Sequence, residues 1–394
     1  VSQPPNPPLV AAEEFVARQQ RAAAAVAARG FDALLACARG GGTVDRYANV
    51  YYLANFYSSF PFITDRRPDW SARAHSFLLM PAQGAPVLIA DMAVNREEVP
   101  VADVVVGDDV LKSLAGAIRE RGLSRARIGI AGSDVLPHSV FRVLERELPE
   151  VRWEEADDIL IEQRMVKSPA EIAILRRASE IGSHAIEQMM EAARPGATHG
   201  EIMGVGLQAI AREGGILYNN FMSSGRGGNQ ASVVASDFPT WAATEPLEEG
   251  QWFQIGLSGV WRGYYFDHSR SKPIGPAVPG QIEAFEAAIA CVEAGIAAVR
   301  PGVTAGSVAE AALSKLAELD FSPESDFSGL GHGIGMGWDA PWLVPGDKTL
   351  LVPGMVLCIE RTVHKHGYVG DFEETVLVTP SGSERLSKAR IRQW

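Results

Sequence analysis

The sequence predicts an α+β protein, with a small α/β domain at residues 11–160 and a larger, pseudo-symmetric domain at 161–394 whose long antiparallel strands curve around a central site. Three observations predict it. Short apolar runs alternate with amphipathic helices up to about residue 160. Beyond Ser168 the elements lengthen and the helix starts carry capping signals. The second part also repeats itself: RPGAT at 194–198 returns as RPGVT at 300–304, an offset of 106.

Residues 1–10 read as a Pro-rich, extended tail. FVARQQRAAAAVAARG has one apolar face and Gly30 as its stop, and predicts the first helix. DALLACA and NVYYLANF read as strands, as do the two halves of SFLLMPAQGAPVLIAD around its Gly turn, then DVVVG, RIGIAG and VRWEEA. LKSLAGAIRERG and HSVFRVLERELPE read as helices. In SPAE, Ser168 is an N-cap, Pro169 takes the first helical position and Glu171 completes a capping box, opening a long helix to about Ala193. Thr198 and Glu201 open the next, EIMGVGLQAIAREGG. Each half of the repeat then has a Gly-rich loop, SSGRGGN at 223–229 and GLGHGIGMG at 329–337. LEEGQWFQIG at 247–256 lines up with LVPGMVLCIE at 351–360 at an offset of 104, and GYYFDHS answers GDFEETV. Two like halves of helix, helix, loop and strand pair give the curved, pseudo-symmetric domain.

Composition removes several functions. A chain of 394 residues, 46% hydrophobic and 21% charged, is long enough for a large core. Its net charge of -12, with no cluster of Lys and Arg, argues against nucleic acid as a partner. Cys37, Cys291 and Cys358 lie far apart without CxxC spacing, so a disulfide framework is not expected and a reducing cytoplasm fits. VSQPPNPPLVAAEEF has neither the basic nor the apolar region of a signal peptide, and no membrane-spanning apolar run follows.

The chemistry-bearing residues are polar groups in apolar runs. The stretch QWFQIGLSGVWRGYYFDHSRS at 251–271 reads as two strands joined by a Gly turn, with one acid, Asp267. His332 stands between glycines in GHGIG, Glu360 closes MVLCIE, and Glu373 and Glu374 open EETVLVT. A buried acid is costly unless it is paired, protonated or bound to a cation. Carboxylates and an imidazole brought together by the repeat would make a site for Mn, Fe, Co or Zn, able to activate water or polarise a carbonyl. Each residue also has a structural reading. His332 can be a turn residue bonded to backbone, Glu360 a partner of Arg361, and Asp267 a partner of Arg270. GLGHGIG lacks the strand, turn and helix context of a dinucleotide fold, and no GxSxG is present.

From about residue 160 the chain resembles the pita-bread family of methionine aminopeptidase, prolidase, aminopeptidase P and creatinase, through VKSPAEIAILRRASEI, RPGAT, GYYFDHSRS, GHGIG, PGMVLCIE and FEETVLVTPSG. FDALLA, NVYYLANF and FLLMP resemble the smaller domain of the prolidase and creatinase branch. The resemblance implies that Asp267, His332, Glu360 and Glu373 are metal ligands, with His332, Glu360 and Glu373 also catalytic. The family's remaining aspartate falls on Gly256, with Gln254 the candidate if the turn is longer. Three further family positions carry Ser232, Asp339 and Asp371 in place of two histidines and an arginine.

These departures imply a hydrolase of a C-N bond in a small non-peptide or amino-acid-like molecule, with one divalent metal ion or none. The alternatives are a lyase of the dimethylsulfoniopropionate-lyase type, an Xaa-Pro dipeptidase or aminopeptidase, and a non-catalytic binding module. His364 or His366, alternating after Glu360, is a candidate for the lost acid-base imidazole. Tyr264, Tyr265, Trp338 and Asp339 are expected at the substrate, with Trp342 beside them. The resemblance also implies a homodimer in which YSSFPFITDRRPDW, with Arg66 and Arg67, closes the site.

Overall fold

In the computed structural model the described residues are 9–41, 46–225, 234–235, 244–323, 329–366 and 368–392. The chain divides into two compact units, Leu9–Arg164 and Met165–Trp394. The expected boundary at 160 falls inside a helix, Asp158–Met165. Among the described residues no helix is long and apolar enough to cross a membrane.

The first unit is built on six strands: β1 (Ala33–Arg39), β2 (His75–Pro81), β3 (Val87–Ala90), β4 (Asp103–Val106), β5 (Arg127–Ala131) and β6 (Arg152–Glu155), in the order β4-β3-β2-β1-β5-β6. β2 runs antiparallel to β1 and β3, whereas β1 and β5, β5 and β6, and β3 and β4 are parallel. Its central strands are buried along their length, which is why ALLACAR and HSFLLMP read as unbroken runs rather than alternating ones. Helices α1 (Ala12–Ala28), α2 (Ala48–Ala54), α3 (Val110–Glu120), α4 (His138–Glu147) and α5 (Asp158–Met165) complete the unit.

One element differs from expectation: NVYYLANF forms the helix α2, not a strand. Its aromatic and β-branched content favours a strand, but tertiary contacts decide. The buried guanidinium of Arg18 donates to the Tyr52 carbonyl at 3.0 Å and stacks over the Tyr52 ring at 4.3 Å. Asn55, left-handed at φ 51, ends the helix.

The second unit carries the repeat. Its first half contains α6 (Pro169–Ala192), α7 (His199–Arg212), β7 (Ile216–Gly225), β8 (Val234–Ala235), β9 (Trp252–Trp261) and β10 (Tyr264–Pro273). Its second half contains α8 (Pro279–Ala298), α9 (Ala305–Glu318), β11 (Ser322–Pro323), β12 (Gly331–Ile334), β13 (Trp338–Trp342), β14 (Val356–Lys365), β15 (Tyr368–Thr379) and β16 (Gly382–Arg385). The strands form two curled antiparallel sheets, β10-β9-β7-β8 and β13-β12-β14-β15-β16, with β11 added to β14. The capping boxes at Ser168 and Thr198 are both formed.

The two halves match in detail. Gly196 N–H donates to Leu247 O at 2.8 Å, and Gly302 N–H donates to Leu351 O at 2.9 Å. Thr198 and Thr304 cap their helices, and each also bridges to the following strand segment, at Pro246 and Leu350. Helix α8 lies on β14 and β15 over a core in which Phe285 meets Trp252 and Phe372 edge-on.

The hairpin of β9 and β10 turns at Arg262 and Gly263, both at positive φ (49 and 80), as a two-residue turn of the primed type demands. The stretch GHGI was expected in a loop but forms β12, between β13 and β14. Its glycines are there for closeness: a Cβ on Gly331 would stand 2.0 Å from Cys358 O, and one on Gly333 would stand 2.2 Å from Ala340 O.

Candidate metal centre

Alternation along the strands sorts the acids. On β10, Asp267 and Ser269 face a cavity, while His268 and Arg270 point the other way. On β15, Glu373 faces the same cavity and Glu374 turns back to Arg270, Nη2 to Oε1 at 2.8 Å, with both side chains fully buried. The other donors of Arg270 go to the carbonyls of Ser269, Glu373, Ala389 and Arg390. Arg270 is thus the partner of Glu374, and the pairing of Asp267 with Arg270 is not formed. On β14, Glu360 faces the cavity and lies directly across from Glu373 in the ladder, while Arg361 gives Nη1 to Gly329 O on the opposite face.

Asp267, His332 and Glu373 each present one ligand atom within 4.8 Å of the others, and all are buried. His332 Nε2 stands 3.7 Å from Asp267 Oδ2 and 4.0 Å from Glu360 Oε1. Its Nδ1 lies 3.0 Å from Gly333 O; a carbonyl only accepts, so Nδ1 carries the proton and Nε2 offers its lone pair to the cavity. Ser258, opposite Asp267 in the ladder, donates its hydroxyl to Asp267 Oδ1 at 2.9 Å.

Burial is the largest cause of an upward shift in all three acids. Asp267 rises to about 7, with the Glu360 charge adding, and His332, Ser258 and Trp338 opposing. Glu360, which keeps one side open to the cavity, also rises to about 7, with Asp371 adding and Arg361 opposing. Glu373 lies well above its ordinary range through burial and the charges of Asp267, Glu360 and Asp371, with the Cys358 thiol opposing. Among the described residues, neither carboxylate oxygen of Glu373 meets a hydrogen-bond donor at bonding distance.

Three crowded acids, one imidazole held in the ligand tautomer and two orphaned oxygens fit a divalent cation better than any protein partner present. Mixed N and O donors suit Mn, Fe, Co or Zn.

The cavity holds about 380 Å³. Its walls include Gly256, Ser258, Phe221, Trp338 and Trp342, the last two with rings 5.6 and 5.8 Å from the His332 ring. The other sequence candidates lie elsewhere. Tyr264 is buried and donates its hydroxyl to Glu171 Oε1 at 3.0 Å. Tyr265 packs on Tyr218, ring to ring at 4.8 Å, and Tyr218 in turn meets Trp338. Asp339 is buried beside Gly335 and Lys167, off the cavity wall.

His364 is an exposed β14 residue and His366 an exposed turn residue at φ 55; neither lines the cavity. Arg67 belongs to the first unit, where it lies 4.0 Å from Asp65. Gln254 is buried on the same strand face as Gly256 but off the wall, and Ser232 lies outside the described residues. Phe221, Ser258 and Ser269 were not anticipated. The two serines had a signal, since each stands two residues from Gly256 or Asp267 on one strand face.

Two family models match. Residues 173–380 match metallopeptidase family M24, and residues 18–166 match the creatinase/prolidase N-terminal domain. An Xaa-Pro dipeptidase of Pyrococcus horikoshii is 26% identical over 350 residues, covering 86% of this chain and 90% of its own. The crystal structure of dipeptidase PepE from Mycobacterium ulcerans superposes with a TM-score of 0.75 at 26% identity, over 98% of both chains. An ectoine hydrolase of Halomonas elongata is 25% identical over 267 residues, 63% of this chain and 64% of its own.

Proposed function

Because the chain belongs to metallopeptidase family M24, as a hydrolase of the creatinase/prolidase type, we propose that it cleaves the C–N bond of a dipeptide-sized amide at a centre of one divalent ion. Asp267, His332, Glu360 and Glu373 are its ligand set. The observation that carries this reading is Glu373, buried in the cavity with both oxygens orphaned beside Asp267 and His332. When bound, the ion supplies polarisation of the amide carbonyl and a more acidic water.

The residues of the chain supply the rest. His332 is fixed by the Gly333 carbonyl as a neutral acceptor. Ser258 orients Asp267. Glu360, with one side open to the cavity, is placed to pass a proton to the reacting nitrogen. The indoles of Trp338 and Trp342 and the ring of Phe221 shed water from the bound amide.

An Xaa-Pro dipeptide is the first substrate to test, ahead of the non-peptide substrate favoured by the sequence, because a dipeptidase relative matches over most of both chains. A non-peptide amide is the second reading, supported by Gly256, Asp339 and Asp371 and by the ectoine hydrolase relative. No specific observation favours the lyase or the non-catalytic reading. The test is proline release from Ala-Pro by Mn-loaded protein, run beside ectoine with amine release as readout. Cleavage of Ala-Pro alone supports the first reading and cleavage of ectoine alone the second; cleavage of neither overturns both. A homodimer and a cytoplasmic setting belong to the same proposal; light scattering tests the dimer.

A further inference from the structure

We propose that this cavity favours small amides that carry an ammonium group over those that also carry a free carboxylate, so that among dipeptide-like substrates the C-terminal amide binds more tightly than the C-terminal acid, which is still accepted. The inference rests on the amide-hydrolase reading above and names its substrate class. It starts from charge. Asp267, Glu360 and Glu373 line the cavity, and among the described residues no lysine or arginine does. One divalent ion would cancel two of those three negative charges. Asp371, two residues from Glu373 on the same face of β15, adds another and is held there by the Thr362 hydroxyl at 2.8 Å.

The two guanidinium groups next to the ligand positions are committed elsewhere. Arg270 spends its donors on Glu374 and four carbonyls, and Arg361 points away to Gly329 O. Among the described residues, a substrate carboxylate would therefore enter a field of its own sign with no cationic side chain on the wall to meet it, which is discrimination by an unpaired charge.

The rest of the wall suits a cation. Phe221 and the half-open Trp342 present aromatic faces. Where a fourth acid would stand, Gly256 leaves the hydroxyls of Ser258 and Ser269 as neutral acceptors. Within this acid cluster, the carboxylate of Glu373 is almost wholly buried with neither oxygen hydrogen-bonded among the described residues, which favours positive charge on this side.

Prolinamide and proline are a matched pair, alike in size and differing in the carboxylate. Calorimetric titration of the full, Mn-loaded chain should give tighter binding of prolinamide by about tenfold or more, the scale of one like-charge contact relieved at a partly buried site. The preference should shrink as salt is added. Asp371→Asn, which keeps the shape, should narrow the ratio; a ratio unmoved by it would overturn the role given to Asp371. Proline binding as tightly as prolinamide would overturn the whole inference while leaving Ala-Pro turnover free to stand. Conversely, preference for prolinamide without hydrolysis of any amide would retain the selection and remove the reaction.

Discussion

Gly256 is the residue on which the chemistry turns. The family resemblance implies an aspartate at this position, and the repeat pairs the position with Glu360 at an offset of 104. The glycine is not forced by space. A Cβ there would meet only Ser269 Oγ at 3.3 Å and the Phe221 side chain at 3.9 Å, and a hydroxyl can turn aside. Gly256→Asp should therefore fold and raise bound metal from about one ion per chain to about two, by elemental analysis after desalting; two ions in the unaltered chain would refute the mononuclear assignment, and a variant that stays at one would refute Gly256 as its cause. Glu373→Gln should leave the metal-free protein as stable or more so, since burial there disfavours the charged carboxylate, and weaken metal affinity at least tenfold, the lower end of what even an indirect contact costs. Residue pattern alone did not tell Glu373 from Glu374, since both open one apolar run; the family resemblance implied Glu373, and the buried Arg270 on β10 gives the physical reason that Glu374 faces away.

The repeat's elements were legible where local chemistry sets them and opaque where the partner strand does. Both RPG turns, both threonine caps and both hairpins follow from Gly, Pro and Ser/Thr signals carried in the local sequence. By contrast, GHGI reads as a loop because glycines punctuate loops, whereas here they let β12 lie against β14 and β13. Gly331 shows the difference: at φ 145 with a Cβ position 2.0 Å from Cys358 O, it admits no side chain. Gly331→Ala should cost roughly 3 kcal/mol or more by chemical denaturation, as overpacking against backbone does, and should take metal binding with it because His332 is the next residue. Thr198→Ala and Thr304→Ala should each cost about 1 kcal/mol, since each hydroxyl accepts one N–H of its helix's first turn. An unequal pair would mean that the halves, though alike in geometry, are unlike in load. The misread α2 makes the same point in the first unit, since a buried arginine from α1, invisible to local pattern, holds it helical.

At the level of the whole molecule, the cavity acids tie stability to pH and to metal together. The folded pKa values of Asp267 and Glu360 lie at about 7 and that of Glu373 lies well above its ordinary range, against ordinary carboxylates near ~4 in the unfolded chain. A folded acid with a raised pKa binds its proton more tightly than the unfolded one. The stability it contributes is present in full below about 4 and is lost as pH rises through 7. Metal-free protein should therefore lose stability at the cavity between pH 5 and 8, roughly the window those values set. A bound divalent ion reverses this, because it takes the protons' place: affinity should rise with pH, and binding near pH 6.5 should release protons, as deprotonated ligands require. The stabilisation follows mass action, so the difference in Tm between metal-loaded and chelator-treated protein isolates the site from every other titrating group. That difference should widen steadily from pH 5.5 to 8, and calorimetry in two buffers of unlike ionisation enthalpy should report proton release. A difference that narrows with pH, or binding without protons released, would mean that the orphaned oxygens of Glu373 await something other than a metal ion.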